Sequence, residues 1–330
     1  MDRAVARLTA VQVLAPPPAQ PVEPGTVPTI SVVIPCYQAA DTVGEAVGSA
    51  LAQTSPAHEV IVCDDGSTDD VAAALAQHAD QIMLLRKDNG GGASALNRAV
   101  GVATGELVSI LDADDVYAPR RLEAIGTAAA LRPDLDILAT DAWLEREGTI
   151  VGRYSEVNPF AVRDQRASIL RTCFPGGWPA LRRRRLLDAG GFDESFAIAY
   201  DWECWIRLIH GGAVAGMVDE PLLTYRIRAG SLSADTVASL RERIRMLEHS
   251  GRSPALLPHE RDVLEAAVAD NRRRLAGEEI GLALASGAAR RKLLRLALGR
   301  RVPLRSRFAV LRAMPQPRIA RTVTSSGKNG

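Results

Sequence analysis

Apolar positions in the first third of the chain fall into short β-branched runs separated by helical patterns. Ser31-Val32-Val33-Ile34 is stopped by Pro35, and a run of this kind predicts a strand buried on both faces. Val43, Ala46, Val47, Ala50 and Leu51 repeat at helical spacing behind Asp41 and Thr42, either of which can cap a helix. Val60–Cys63 predicts a second strand, ending in Asp64-Asp65-Gly66-Ser67-Thr68-Asp69-Asp70, a turn that also caps a helix reaching Ala79. Ile82–Leu85 predicts a third strand, and the glycine turn Asn89-Gly90-Gly91-Gly92 leads into a helix over Ala93–Ala103. Leu107–Leu111 predicts a fourth, which runs into Asp112-Ala113-Asp114-Asp115. Strands and helices alternating in this way imply right-handed crossovers and a mostly parallel sheet. Ligands bind such sheets beyond the carboxyl ends of the strands, where Pro35-Cys36-Tyr37, Asp64-Asp65 and the Asp112 group all fall.

After Pro133 the pattern is less regular. It predicts strands at Ile137–Thr140, Thr149–Val151, Val214–Val218 and Leu222–Tyr225, helices at Val162–Arg171 and Trp202–His210, and mostly helix from Ala238. Six prolines within residues 1–28 predict a flexible, partly polyproline leader, with order beginning at Ile30.

Composition adds limits. At 330 residues, 47% hydrophobic and 24% charged, the chain is globular rather than disordered. No apolar run reaches the ~18 residues of a spanning helix, and Met1–Pro18 does not read as a secretory signal. Cys36, Cys63, Cys173 and Cys204 lack CxxC spacing and read as buried thiols of a reducing compartment, which predicts a cytoplasmic protein. The formal net charge of +1 hides an uneven split. From Gly281 onward there are twelve basic residues and no acidic ones, so the preceding 280 residues are acidic by eleven.

Asp112, Asp114 and Asp115 crowd the end of a buried strand, where carboxylates are costly without a positive partner. A divalent cation, hard and oxygen-seeking, would satisfy them, and so would a solvated turn that caps a helix starting near Pro119. The residues alone leave both open.

The ordered motifs Ser31–Gln38, Val60–Asp69, Gly105–Asp115, Gly190-Gly191-Phe192-Asp193-Glu194 and Tyr200–Leu208 resemble the family-2 glycosyltransferases of the GT-A fold, in order and spacing from about Ile30 to Ser233. The resemblance implies an α/β fold, a GT-A-type mostly parallel sheet flanked by helices (the nucleotide-diphospho-sugar transferase fold), with a C-terminal helical appendage. It implies a leader over 1–28, a catalytic domain over 29–235 and a basic helical region over 236–330. The implied reaction moves a sugar from a nucleotide-diphosphate donor to an acceptor hydroxyl with inversion, assisted by Mg²⁺ or Mn²⁺.

Carried over residue by residue, the resemblance makes Asp114 a metal ligand, with Asp112 beside it on metal, ribose or sugar and Asp115 a third candidate ligand. Asp64 and Asp65 would meet the nucleotide, Pro35 and Tyr37 would line the nucleobase pocket, and Asp201 would be the catalytic base, a position that also allows a helix cap. Arg86 at the end of the third strand is either a nucleotide contact or a solvated arginine. Two departures stand out. Tyr200 replaces a family Glu before Asp201. Arg228 replaces a family His, and since an arginine cannot ligate a metal, it is expected on phosphate. Trp178 reads as either a sugar-stacking or a core aromatic, and Arg182–Arg185 as a solvated face or a phosphate site. The glycines at 90–92 lack P-loop and dinucleotide spacing, and read as a turn near the donor, with Asn97 able to hydrogen-bond across the site.

Two other functions fit parts of the pattern. A sugar-phosphate nucleotidyltransferase uses a similar crevice, but its Gly-rich segment is missing after the first strand. A non-catalytic nucleotide-sugar-binding module would have little use for Asp65, Asp112, Asp114 and Asp201 together. Expected partners are a nucleotide sugar and a saccharide, lipid-linked or small-molecule acceptor; nucleic acid is not expected, because aromatic residues are sparse among the basic ones. Basic amphipathic stretches at Arg290–Leu298 and Arg305–Met314 fit either packing on the acidic body or peripheral contact at the inner face of a membrane.

Overall fold

A computed structural model describes residues 11–228 and 236–285. The apolar runs become the middle of one ten-stranded sheet: β1 (Val13–Leu14), β2 (Ile30–Cys36), β3 (Glu59–Asp64), β4 (Met83–Arg86), β5 (Leu107–Ile110), β6 (Val116–Tyr117), β7 (Ile137–Arg146), β8 (Thr149–Arg153), β9 (Ala180–Arg182) and β10 (Ala215–Arg226). The strand order is β1-β10-β7-β9-β5-β2-β3-β4, with β6 on β10 and β8 on β7. Pairings β2–β3, β2–β5, β3–β4 and β7–β10 are parallel, whereas β9 runs antiparallel between β5 and β7.

Alternation along β2 explains its unbroken apolar run. Val33 faces a core shared with Ile61, Val108 and Ile110, while Val32 and Ile34 face a second core with Val60, Val62 and Leu107. The first core is covered by α3 (Gly92–Val102), α8 (Tyr200–His210) and α9 (Thr236–Ser250), which contribute Leu96, Trp205 and Leu247. The second is covered by α1 (Val43–Leu51) and α4 (Arg121–Leu131), with Val47 and Ile125. Shorter helices fill the connections: α2 (Val71–Ala74) followed by a 3₁₀ turn (Ala76–His78), α5 (Tyr154–Val157), α6 (Gln165–Ser168) and α7 (Arg183–Asp188).

The chain divides into two compact units, Met1–Val268 and Ala269–Gly330. The last described helix, α10 (Pro258–Ala285), begins in the first unit, where Leu264 and Val268 join the core around Trp202 and Trp205. Of the second unit, the described part is the remainder of that helix. The basic stretches at Arg290–Leu298 and Arg305–Met314 lie outside the described residues. Among the described residues, no helix is long and apolar enough to cross a membrane.

Several expectations need correction. Order begins before Ile30: Val13 and Leu14 pair with Val218 and Met217, and the carbonyl of Pro16 accepts from Arg132 at 2.8 Å. The two strands expected at 214–225 are one strand, β10, whose register shifts on either side of Pro221, a residue with no N–H for the ladder. The helix expected over Val162–Arg171 shrinks to α6, because Asp164 takes a left-handed conformation (φ 51°) just before it. The thiols are all free; Cys36, Cys63 and Cys204 are buried and Cys173 partly so.

Candidate active site

The carboxyl ends of β2 and β3 are stitched together before any ligand arrives. The Asp64 carboxylate accepts from Ser67 N–H at 2.9 Å, which closes the Asp64–Ser67 turn. Gly66 is needed there: its φ is +76°, and a Cβ would lie 2.8 Å from the Asn89 nitrogen. Gln38 Oε1 accepts from Thr68 N–H at 2.8 Å, and Asp69 accepts from Ala40 N–H at 2.8 Å. This leaves the Tyr37 ring half exposed at the rim, next to the partly exposed Pro35.

Arg86 ends β4 and meets Asp64 at 3.3 Å, while also donating to the Ser67 carbonyl at 2.9 Å. It remains 64% exposed, so the pair leaves the guanidinium open to solvent and to an anion. Asp65 is buried. It accepts from Lys87 Nζ (2.7 Å), Gly90 N–H (3.0 Å) and Gly91 N–H (2.7 Å). Asp65 therefore anchors the glycine turn, a role its motif did not suggest. Lys87 was not singled out from sequence; a lysine directly after a strand-end arginine was its only signal. Gly66, Arg86, Lys87, Asp88 and Asn89 line an open cleft of about 730 Å³.

The acidic turn follows β5, closed by Asp115 N–H to the Asp112 carbonyl at 3.1 Å. Burial pushes the Asp112 carboxyl up to about 7, and the charges of Asp114 and Asp201 add to this. Asp115 is 1% exposed and points elsewhere: its Oδ1 accepts from Arg226 N–H on β10 at 2.9 Å. Burial and the Asp112 charge push its carboxyl well above the carboxylate range. The three carboxylates expected to share an ion do not converge, and among the described residues no three His, Cys, Asp or Glu side chains form a metal-holding group. Asp112 and Asp114 remain partly exposed. Two carboxylates are hard oxygen donors that could hold a divalent cation only with further ligands from outside the protein.

Asp201 lies in the first turn of α8. Its Oδ1 accepts from the Trp202 backbone N–H at 2.7 Å, and a Cβ on Gly177 would lie 3.1 Å from its Oδ2. Burial raises its carboxyl to about 6, opposed by the Trp202 N–H and the charge of Arg243. The Asp201 charge also helps to raise Asp112, so the two carboxyls lie within electrostatic reach of each other.

The loop before Trp178 is held from below. Trp205 Nε1 donates to the Gly176 carbonyl at 2.9 Å, and Tyr154 Oη donates to the Cys173 carbonyl at 2.6 Å. Trp178 is a core aromatic, 3% exposed, stacked on Tyr225 with ring centroids 5.2 Å apart. It is therefore not placed to stack on a sugar. The arginine run is stitching rather than an anion site. Arg182 donates to the Ala129 and Leu135 carbonyls, Arg183 to the Val100 carbonyl and Arg185 to the Gly211 carbonyl, while Arg184 pairs with Asp188.

Asn97 bridges α3 to the Gly190–Glu194 segment, accepting from Phe192 N–H (2.8 Å) and donating to Glu194 (2.9 Å). Gly191, at φ +72°, is pressed against it: a Cβ would lie 2.5 Å from Asn97 Oδ1. The Tyr200 hydroxyl lies against the start of α3, 2.7 Å from where a Gly92 Cβ would be. Arg228 is 38% exposed at its side chain and 3.9 Å from Asp41; residues 229–235, which follow it, lie outside the described residues.

Residues 31–191 match the family model for glycosyl transferase family 2. An uncharacterized glycosyltransferase of Nostoc sp. is 31% identical over 64% of this chain and 70% of its own length. The succinoglycan biosynthesis protein ExoU of Rhizobium meliloti is 30% identical over 62% of this chain and 64% of its own. An uncharacterized glycosyltransferase of Rickettsia typhi is 29% identical, and the chain spans 60% of its length. Among solved structures, the mannosyltransferase PcManGT from Pyrobaculum calidifontis, in complex with GDP-Man and Mn²⁺, superposes with a TM-score of 0.60 at 23% identity, covering 89% of this chain and 88% of the other. S. aureus TarS 1-349 with UDP-GlcNAc also gives 0.60, at 19% identity, covering 87% and 82%. These likenesses identify the sheet and its flanking helices as the GT-A fold. The motifs, the fold and the relatives agree, and the chain belongs to glycosyl transferase family 2.

Proposed function

We propose that this glycosyltransferase moves a sugar from a nucleoside-diphosphate donor to an acceptor hydroxyl with inversion, using a divalent cation on Asp112 and Asp114 and Asp201 as general base. The observation that carries this reading is the placement of the partly exposed Asp112 and Asp114 just beyond β5 and of Asp201 in the first turn of α8 beside Gly177, with the Asp201 charge reaching Asp112. A base raised toward neutral pH and a metal-side carboxylate would then serve one reaction. The structural neighbours with GDP-Man and Mn²⁺, or UDP-GlcNAc, support a nucleotide-sugar donor.

In this reading the cleft at Gly66, Arg86, Lys87 and Asn89 takes the nucleotide, with Tyr37 and Pro35 beside the base. Arg86 and Arg228 supply positive charge to the phosphates without a proton to give up. A bound Mg²⁺ or Mn²⁺ would offset the negative charge that builds on the leaving diphosphate. Asp201 accepts the proton of the acceptor hydroxyl as its oxygen bonds to the anomeric carbon and the bond to the diphosphate breaks. The Trp202 N–H keeps one Asp201 oxygen fixed, leaving the oxygen beside Gly177 for the acceptor.

Asp201→Asn should lower transfer about 10²–10⁴-fold while leaving nucleotide binding intact. Transfer unchanged in Asp201→Asn and Asp114→Ala, measured with Mn²⁺ across a panel of nucleotide sugars and acceptors, would refute the mechanism. The same panel identifies donor and acceptor. The relative in succinoglycan biosynthesis makes saccharide acceptors the first to try, and the basic C-terminal residues make lipid-linked ones the second.

A further inference from the structure

Arg121 opens α4 and is fully buried. One terminal nitrogen donates to Thr140 Oγ1 on β7, and the other donates to the Trp178 carbonyl at 2.6 Å. Its guanidinium carbon lies 4.5 Å from the centroid of the Tyr117 ring. Among the described residues, no carboxylate comes within the 4.0 Å of an ion pair, and its Nε finds no acceptor in the protein. A buried guanidinium with so little direct compensation is costly, and burial pulls its proton affinity down, so the contacts it does keep carry its placement.

The contacts of Arg121 join three parts of the site that the chain makes separately. Tyr117 follows the acidic turn, Thr140 lies on β7, and Trp178 ends the loop whose Gly177 packs on Asp201. We propose that Arg121 is a positioning residue: by gripping Thr140 and the Trp178 carbonyl while lying over Tyr117, it fixes the Gly176–Trp178 loop against the strand that follows the Asp112–Asp115 turn and so sets the span between base and metal-side carboxylates. The role rests on the site reading above. It also requires an arginine, because a single ammonium cannot grip Thr140 and Trp178 with one planar fork while stacking on Tyr117.

The test uses the full chain in the forms R121K, R121M, T140V and R121M/T140V. Mn²⁺ uptake is followed by the electron paramagnetic resonance of the free ion, with UDP or GDP present. R121M should weaken uptake about tenfold or more, the scale of coupling within one hydrogen-bonded network, with R121K in between. Chemical denaturation should show T140V destabilising the wild type more than it destabilises R121M. Uptake by R121M equal to wild type, or additive denaturation midpoints, would overturn the proposal. If R121M does not fold, R121K combined with Thr140→Val removes one grip at a time and is read in the same way. A wild-type chain that takes up no Mn²⁺ with either nucleotide overturns the metal reading instead, and the denaturation cycle then decides Arg121 by itself.

Discussion

Asp201 meets opposed demands. Burial raises its carboxyl to about 6, which suits a base but makes its charged form a liability to folding. The groups that act on it or feel its charge include Asp112, Arg243, Tyr200, Tyr154, Cys173 and Cys204. Two outcomes follow. Transfer should rise as pH increases through about 6, where the base loses its proton, and kcat/KM against pH would show the limb. Stability should run the other way. The folded carboxyl binds its proton more tightly than the unfolded one, so its contribution is present below the ordinary aspartate value of 3.8 and is lost as pH rises through about 6. Asp201→Asn should therefore be more stable than wild type at pH 8, by about 1–2 kcal/mol, and gain nothing at pH 3.5. Equal gains at both pH values in thermal unfolding would rule out this account. At this scale the acidic motifs were legible because their residue types are unusual at strand ends. Arg121 and Lys87 were not, since one arginine or lysine among 40 basic residues carries no mark of burial or of its partner.

The elements that hold the site meet through backbone approaches that only glycine permits. Gly92 begins α3 directly against the Tyr200 hydroxyl of α8, so the residue that replaces the family Glu is wedged onto the glycine turn. Gly92→Ala should displace the tyrosine and lower activity at least several-fold, and Tyr200→Phe, which removes the clashing oxygen, should restore part of it. No recovery in the double variant would show that the contact is not what matters. Lys87→Ala should loosen Asp65 and the turn it anchors, which would appear as a higher KM for the donor with kcat less affected. The strands β2, β3 and β5 were readable because a strand buried on both faces must be apolar throughout, whereas β4, at the exposed edge of the sheet, was readable only from its apolar residue types. β9 and α7 were hidden around Arg182–Arg185, of which Arg182, Arg183 and Arg185 donate to carbonyls of other elements while Arg184 pairs with Asp188. Such caps depend on neighbours distant in sequence, so no local pattern announces them.

For the whole molecule, the uneven charge is a property of sequence that the site does not use. The twelve basic residues from Gly281 onward include none of the site residues, and the acidic remainder holds them all. If the basic residues serve a lipid-linked acceptor, vesicles with anionic lipid should float the full chain, and 0.5 M salt or truncation after residue 285 should release it; partitioning indifferent to both would remove membrane contact from consideration. The sheet carries a different kind of consequence. Val13 and Leu14 are synthesised long before Val218 and Met217, the residues they pair with. During translation that edge must wait, unpaired, for some two hundred further residues, and the entropy of closing so long a loop places its docking late in folding. The amides of Val13 and Leu14 should accordingly be among the first of the sheet to exchange with solvent, and a nascent chain stalled before β10 should expose the β10-facing edge of β7 to chaperones.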